Sequence, residues 1–292
     1  MFNDNAREIG KHPWSYSKLS VGIKCPFQFQ RRYVERVKPT NEVSSARATI
    51  GTTIHSIMEH GLLCFHEAGA PFSRDAVKDA IKHAYEKTLD GAKLTSEEFE
   101  EIMFLEEAAE TMLWRLAKFK SENNCAIYVE EPLGITAGMM PAPYASEHTF
   151  FRGIIDLVMV TPGGVAAIID HKTGYPSLRG YEKQLKAYEV LVSVALAPKI
   201  YQEHGIKLKA VRSALNFIPE QSIQWSNMVP QDKVLGVKSQ EFIDLVNSTS
   251  DQIQEGKVNR GNHCNYCSYR SYCGSKVGTR KKKGKSNAHP AV

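Results

Sequence analysis

The segment "FRGIIDLVMVTPGGVAAIIDHKTG", residues 151–174, contains two apolar runs joined by the turn-forming residues Thr161–Gly164. Apolar runs bounded by turn residues are typical of buried strands, and the turn predicts that these two strands form a hairpin. Each run nevertheless carries charge, with Asp156 in the first and Asp170 and Lys172 at the end of the second. Charge in a buried strand indicates a site rather than ordinary core.

Side chains alternate across a strand, so we predict that Asp170 and Lys172 share one face and that His171 points to the other. The hairpin should bring Asp156 close to Asp170, and two carboxylates on adjacent strands form a hard-oxygen site suited to Mg²⁺ or Mn²⁺. Lys172 beside such an ion could position a water molecule or stabilise charge on a phosphate. The alternative is a structural salt bridge between Asp170 and Lys172 at a strand end.

The rest of the chain predicts one domain, residues 1–275, of the α/β class. Residues 15–122 are helical by pattern, because apolar side chains recur at three-to-four spacing and serine or threonine caps open the helices. Residues 123–260 alternate between strand-like and helical segments. The strand-like segments are 125–135, 148–160, 164–174 and 208–219, and the helical ones are 180–197 and 239–257.

Composition indicates an ordinary soluble chain of 292 residues with 42% hydrophobic and 24% charged residues. The polar start gives no signal peptide, and no apolar run is long enough to cross a bilayer, so we expect a cytoplasmic protein without a membrane partner. The sequence has no GxxxxGK[ST] loop. A helicase or recombination protein that works with this chain would therefore be a separate protein.

The net charge of +5 is concentrated in residues 276–292, a segment that contains basic residues and no acidic ones. The basic residues are Lys276, Arg280, Lys281, Lys282, Lys283 and Lys285. We predict a disordered tail that attaches to the DNA backbone by charge. The alternative is a solvated tail that improves solubility without binding DNA.

Three of the six cysteines form a C-x₂-C-x₅-C pattern at Cys264, Cys267 and Cys273. In a reducing compartment such clustering indicates a metal centre rather than disulfides. Three thiolates need a fourth ligand, and the candidate is Cys25, which would join the two ends of the chain. The pattern leaves zinc and iron–sulfur both open, with His263 as a spare ligand for zinc.

Four motifs occur in a fixed order along the chain: His55 on a helix, G-x-x-D at Gly153–Asp156, D-x-K-T-G at Asp170–Gly174 and Q-x-x-x-Y at Gln184–Tyr188. This order resembles the RecB-like branch of the PD-(D/E)XK nuclease superfamily. The N-terminal "SYSKLSVGIKCPFQFQRRY" resembles the opening S-x-S-x-L…C-P-x-x-F-x-x-x-Y of those nucleases. The resemblance covers Ser15 to Cys273, with Ile155 in place of the proline that usually precedes the first aspartate.

The resemblance implies a restriction-endonuclease-like α/β core with a large N-terminal helical region. It implies that His55, Asp156, Asp170 and the backbone carbonyl of His171 hold the metal, and that Lys172 assists the attacking water. Gln184 and Tyr188 would complete the catalytic set by shaping the site and contacting the DNA strand. An extra acid is expected from "YVEEPLG", where Glu130 and Glu131 are both candidates.

The one-plus-three cysteine layout is similar to that of the AddB nuclease domain and of the CRISPR-associated RecB-like exonucleases. It implies that Cys25, Cys264, Cys267 and Cys273 hold a structural [4Fe–4S] cluster, with Zn²⁺ as the alternative.

Taken with the metal site, the resemblance predicts a Mg²⁺- or Mn²⁺-dependent exonuclease that hydrolyses phosphodiester bonds of single-stranded DNA or DNA ends, in recombination, repair or phage or CRISPR DNA processing. The alternatives are a DNA-binding module that does not cleave and an endonuclease on the same fold.

Overall fold

The computed structural model describes residues 1–40, 46–67, 73–174 and 178–273. The basic segment 276–292, which we predict to be disordered, lies outside these residues. Among the described helices, none combines the length and the apolar character needed to cross a membrane.

Helices occupy most of the first half of the chain, and strands begin at residue 126. The α-helices are α1 (Asp4–Ile9), α2 (Tyr16–Lys24), α3 (Pro26–Phe29), α4 (Ala46–Glu67), α5 (Arg74–Thr88), α6 (Ser96–Asn123), α7 (Glu182–Leu191), α8 (Ala197–His204), α9 (Gln231–Lys233) and α10 (Ser239–Gln254). The strands are β1 (Ala126–Ile135), β2 (Pro141–Ala142), β3 (Phe151–Val160), β4 (Val165–Lys172), β5 (Ala210–Phe217), β6 (Ser222–Trp225) and β7 (Val229–Pro230).

The long helices begin where the sequence places capping residues. At α6 the Thr95 hydroxyl accepts from the backbone N–H of Glu98, and the Glu98 carboxylate accepts from the backbone N–H of Thr95. At α5 the Ser73 hydroxyl accepts from the backbone N–H of Ala76. Each cap stabilises its helix by about 1 kcal/mol. The predicted helical region is confirmed.

The strands form one mixed sheet in the order β2-β1-β3-β4-β5-β6, with β7 paired to β5. The pairs β1–β3 and β3–β4 are antiparallel, whereas β4 and β5 are parallel. A parallel pair needs a crossover connection. Helices α7 and α8 supply it, joined by a π-helical turn at Val192–Leu196.

Two apolar cores lie on opposite faces of this sheet. Val158 and Ile168 belong to the first core, with α1, α2, α7, α8 and α10. Leu157 and Ile169 belong to the second core, with α4, α5 and α6. A strand that contributes alternate residues to two cores is buried on both faces, which explains the near-continuous apolar runs. The α/β class predicted from the sequence is confirmed.

The structure adds detail that the hydrophobic pattern does not contain. The helix predicted over residues 180–197 extends through the π-helical turn into α8 and ends at His204. The short strands β2, β6 and β7 have too few residues for a recognisable alternation. The strands predicted at 125–135, 148–160, 164–174 and 208–219 are all present.

Candidate active site and cysteine centre

Asp156 and Asp170 lie at neighbouring positions on β3 and β4. The antiparallel ladder between these strands ends at the pair Leu157–Ile169, and the same register continued by one residue places Asp156 opposite Asp170. At that point the backbone N–H of His171 donates to Asp156 Oδ2 at 2.7 Å. The hairpin therefore brings the two carboxylates together.

The alternation of side chains reverses where β3 reaches Asp156. Ile155 lies in the first core and Leu157 in the second, although residues two apart on a strand normally share a face. On the adjacent strand β1, Glu130 lies opposite Asp156 and adopts a left-handed backbone with φ of 46°. A non-glycine residue in this conformation costs on the order of 1–3 kcal/mol and is most often found at functional sites.

The reversal places Glu130 and Asp156 beside His55 of α4. Each of the three residues offers one ligand atom, and these atoms all lie within 4.8 Å of one another. His55 Nδ1 is 3.6 Å from Asp156 Oδ2. One imidazole and two carboxylates at this separation could hold a divalent metal ion.

Asp170 occupies the buried side of the same centre, with an exposed fraction of 2%. Lys172 Nζ lies 2.5 Å from Asp170 Oδ2, and Gln184 Nε2 donates to Asp170 Oδ1 at 2.9 Å. The Gln184 amide also donates to the hydroxyl of Tyr188 at 2.9 Å. Lys172 in addition lies over the ring of Tyr181 at 4.8 Å. The contacts of Lys172 and Gln184 fix the orientation of the Asp170 carboxylate. Asp170 and Lys172 lie on one face of β4, as the alternation of side chains predicts.

His171 contributes its backbone to the centre and turns its side chain to the other face. Its backbone lies close enough to His55 to raise the pKa of that imidazole slightly, against the larger effect of burial. Its buried ring lies 3.0 Å from the amide of Asn216 through Nδ1. Burial lowers the pKa of His171 to about 3, so this ring is neutral at physiological pH.

The carboxyl groups of the centre resist ionisation in the metal-free protein. Burial, followed by the charge of Asp156, raises the pKa of Glu130 to about 7. Burial also raises the pKa of Asp156 and that of Asp170, whose pKa is raised further by the charge of Asp156. Lys172 offsets only part of this repulsion. A divalent cation would relieve the rest, because opposite charge favours the ionised carboxylates.

His55 has a pKa below its ordinary value, chiefly because of burial. The ring is therefore neutral at physiological pH, which is the form in which an imidazole nitrogen can ligate a metal.

The structure separates the two adjacent glutamates of β1. Glu131 pairs with Lys199 at 2.7 Å and therefore lies away from His55. Glu130 lies with His55 and Asp156. The sequence could not distinguish the two residues, because regular alternation says nothing about a left-handed position within a strand.

Three further residues lie near the centre, although the sequence motifs did not predict them there. Glu59 lies one helical turn after His55, and its charge contributes to the raised pKa of Glu130. Tyr16 has a raised pKa, first through burial and then through the charge of Asp170. Tyr181 lies under Lys172. Only Glu59 had a sequence signal, namely its i+4 spacing from His55.

The cysteine centre lies where the two ends of the chain meet. Cys25 follows α2 and is buried, as is Cys264, whereas Cys267 and Cys273 are half-buried. The backbone N–H of Phe27 donates to the carbonyl of Lys257 at 3.0 Å. This hydrogen bond brings the segment after α2 against the segment after α10.

Cys25, Cys264 and Cys273 all lie near Cys267. Burial raises the pKa of Cys267, and the neighbouring thiols of Cys25, Cys264 and Cys273 raise it further. The backbone N–H of Thr40 donates to the carbonyl of Ser268 at 2.9 Å, which fixes the loop between the cysteines. The structure therefore brings together the four cysteines that the sequence singled out.

The fold and the site together define a class of protein. A mixed β-sheet that carries an acidic centre able to hold a metal ion, with a lysine beside it, suits metal-dependent cleavage of a phosphodiester bond. The family model of the PD-(D/E)XK nuclease superfamily matches residues 13–274. The chain belongs to this superfamily, and a nuclease of this superfamily is a metal-dependent hydrolase that would bind DNA. No curated protein matches the chain.

Proposed function

We propose that the protein is a Mg²⁺- or Mn²⁺-dependent deoxyribonuclease of the RecB-like branch that acts as an exonuclease on single-stranded DNA or DNA ends. The observation that carries the proposal is the convergence of His55, Glu130 and Asp156 next to the Asp170–Lys172 pair. A salt bridge alone does not explain this group, because it leaves three carboxyl groups in one buried place with one lysine.

In this proposal the metal is held by His55, Asp156, Asp170 and the carbonyl of His171, with Glu130 as an additional acidic ligand. When bound, the ion neutralises charge on the scissile phosphate and makes a coordinated water more acidic. Lys172 orients the attacking water or donates a hydrogen bond to the phosphate.

Gln184 and Tyr188 act as positioning residues in this proposal. Gln184 fixes the rotamer of Asp170 through its amide, and its second bond fixes the hydroxyl of Tyr188. The ring and hydroxyl of Tyr188 then face the DNA strand. A residue that acts in this way changes the orientation of a carboxylate without itself exchanging a proton.

The decisive experiment is digestion of end-labelled DNA with Mg²⁺ or Mn²⁺, with EDTA as the control. Single-stranded and double-stranded linear DNA should both be compared with a covalently closed circle. We expect cleavage of linear single strands and an intact circle. Cleavage of the circle would indicate an endonuclease on the same fold, and DNA binding without any cleavage would indicate a binding module.

We further propose that Cys25, Cys264, Cys267 and Cys273 bind a [4Fe–4S] cluster that braces the two ends of the chain. The one-plus-three layout of the cysteines at the two ends of the chain supports this proposal, as does the nearness of Cys25, Cys264 and Cys273 to Cys267.

A further inference from the structure

A cavity of about 410 Å³ adjoins the carboxylate centre and extends beyond Gln184 and Tyr188 to residues that have no role in the proposed chemistry. Its lining includes Lys18 of α2 and Arg152 of β3, together with Tyr144, Gln184 and Tyr188. No carboxylate lines this cavity among the described residues. A cavity with two cations and no acid is suited to an anion.

Neither cation of the cavity has an acidic partner in the described part of the chain. Lys18 Nζ donates to the carbonyl of Pro13 at 2.9 Å. Arg152 donates to the carbonyl of Tyr144 at 3.3 Å and stacks on the Tyr144 ring with its guanidinium carbon 4.6 Å from the centroid. Burial lowers the pKa of Lys18, and the charge of Arg152 lowers it further. Two like charges held together in this way gain most from a bound anion.

The fold holds Lys18 and Arg152 together through a backbone contact. The backbone N–H of Arg152 donates to the carbonyl of Trp14 at 2.9 Å, so the segment before α2 runs beside the start of β3. Gly153 allows the helix α7 to approach at the same place, because a Cβ there would lie 2.9 Å from Leu191. The side of the cavity that carries Lys18 and Arg152 is therefore positioned by the sheet and by the helices packed against it.

The cavity shares a wall with the carboxylate centre. Gln184 lines the cavity and also donates to Asp170. Tyr16 lines it too, and the pKa of its hydroxyl responds to the charge of Asp170. A ligand in the cavity would therefore lie next to a phosphate bound at the carboxylates.

We propose that this cavity is a subsite for one unpaired nucleotide that neighbours the cut phosphate, with Lys18 and Arg152 binding its backbone phosphate. The proposal rests on the proposed nuclease function and adds the residues that would recognise the single strand. Its volume falls within the range of pockets that hold one small ligand, so a paired strand would have to separate before entering. The ring of Tyr144 offers a stacking surface beside Arg152, as proteins that bind single strands commonly provide.

A second basic cavity of about 270 Å³ shares Lys18 with the first. Its lining includes Arg32, Arg36 and Tyr33, and the Arg32 guanidinium lies 5.2 Å over the Tyr33 ring. Cations interleaved with aromatic rings are suited to a single strand of any sequence. In this proposal the strand that occupies the subsite extends past Lys18 toward this second cavity.

The test measures binding in EDTA, so that it does not depend on cleavage. Fluorescence anisotropy with a fluorescein-labelled thymidine tetranucleotide gives the affinity of wild type and of the variants Lys18→Gln and Arg152→Gln. Lys78→Gln, an exposed lysine on α5, is the matched control. We expect each subsite variant to weaken binding about tenfold and to reduce the salt slope by about 0.7, with little change in the control.

A linkage scan identifies the phosphate that the subsite binds. Each linkage of the tetranucleotide is replaced in turn by a neutral methylphosphonate. Replacement of one linkage should weaken binding to wild type about tenfold. The same replacement should not weaken binding to Arg152→Gln any further, because both changes remove the same contact. The variants Lys18→Gln and Tyr144→Ala repeat the scan if Arg152→Gln does not fold.

Two results would overturn the subsite. One is an unchanged affinity and salt slope in both cation variants, and the other is the absence of coupling at every linkage. Failure of the nuclease function would look different, because wild type would bind the tetranucleotide with the predicted coupling and yet cut no DNA with Mg²⁺ or Mn²⁺. In an active enzyme the cation variants should raise KM about tenfold and leave kcat within about threefold, since they remove binding that is equal in ground and transition states.

Discussion

The carboxylate centre and the cysteine centre are held by the protein in different ways. Asp156 and Asp170 lie on paired strands in the middle of the sheet, between two apolar cores. The segment from Cys264 to Cys273 has only short 3₁₀ turns, at Asn262–Tyr266 and Arg270–Tyr272. Few of its side chains are buried, and Tyr266 is 90% exposed. The fold therefore preforms the first centre, whereas the second has little apolar packing of its own.

The helix α2 connects the two centres. Its first turn carries Lys18 at the cavity beside the carboxylates, and its last residue, Lys24, precedes Cys25. Nine helical residues span about 13 Å, so the two centres lie at opposite ends of one short rigid element. Damage to the cysteine centre should then reach the DNA subsite through α2, whereas damage to the carboxylates should stay local.

The largest expected effect is the loss of cleavage in Asp170→Asn. The variant keeps the volume of the side chain and removes the charge that Lys172 and the metal need, so we expect the single-turnover rate to fall by at least about 10³-fold. Asp244→Asn, on the exposed surface of α10, is the matched control. Circular dichroism and iron content should match wild type. A wild-type rate in the folded variant would show that the carboxylate centre is assigned wrongly.

Mutation of the cysteine centre should lower the stability of the whole protein, whereas mutation of the carboxylate centre should affect only cleavage. We expect Cys25→Ser and Cys267→Ser each to lose the bound iron, about four atoms per chain in anaerobically purified wild type, and to lower the melting temperature by about 10 °C. Cys64→Ser and Cys125→Ser should keep the iron. Finding one zinc per wild-type chain would show that the metal is zinc and not iron, but the four cysteines would still connect the two ends of the chain. Loss of iron in Cys267→Ser but not in Cys25→Ser would show that Cys25 is not a ligand and that the metal centre does not connect the two ends of the chain.

Most of this comparison could be drawn from the sequence, because it depends on local patterns. The turn at Thr161–Gly164 joins two apolar runs, and a hairpin closed by this turn predicts that Asp156 and Asp170 lie near each other. The C-x₂-C-x₅-C spacing likewise predicts a metal centre from a local pattern. The α/β class is confirmed, and the roles of the site residues stay predictions.

The rest depends on contacts between distant segments. Glu130 joins His55 only because β1 takes a left-handed residue opposite Asp156, and nothing in "YVEEPLG" indicates that conformation. The cavity requires Lys18 to lie near Arg152, although the two residues are 134 positions apart in the sequence. They come together because Trp14 pairs with Phe151 at the start of β3. No periodicity in either segment predicts that pairing.

The next expected effect tests whether Glu130 is part of the carboxylate centre. We expect Glu130→Gln to raise the Mn²⁺ concentration that gives half-maximal cleavage by about 10- to 100-fold, since the centre loses one acidic ligand. Glu131→Gln is the matched control, because its side chain pairs with Lys199 on the other side. An equal effect of both variants would indicate general disturbance of β1 rather than ligation.

The pH dependence of stability offers a smaller effect at the same residue. The pKa of Glu130 is raised from 4.5 in the unfolded chain to about 7, so the folded protein holds the extra proton and loses stability as the pH rises through this window. The raised pKa values of Asp156 and Asp170 act in the same sense, whereas the lowered pKa values of His55 and His171 act in the opposite sense. The comparison of variant with wild type at each pH isolates the change that Glu130 causes. In EDTA, Glu130→Gln should gain about 1–2 kcal/mol over wild type between pH 5 and pH 8. Urea unfolding at both pH values measures this gain, and a constant difference would contradict the buried, proton-binding Glu130.

The smallest expected effect concerns the basic segment that follows the cysteine centre by three residues. Truncation after Ser275 removes six positive charges, from Lys276 to Lys285, and no negative ones. If two of these charges contact phosphates, affinity for single-stranded DNA should fall about threefold at physiological salt and the salt slope should become shallower by about 1.4. The catalytic rate at saturating DNA should not change, because no residue of the carboxylate centre is touched. The matched control replaces the six residues with glutamine and keeps the length, and it should behave like the truncation. An unchanged salt slope in both variants would show that the segment is a solvated extension that makes no contact with the phosphates.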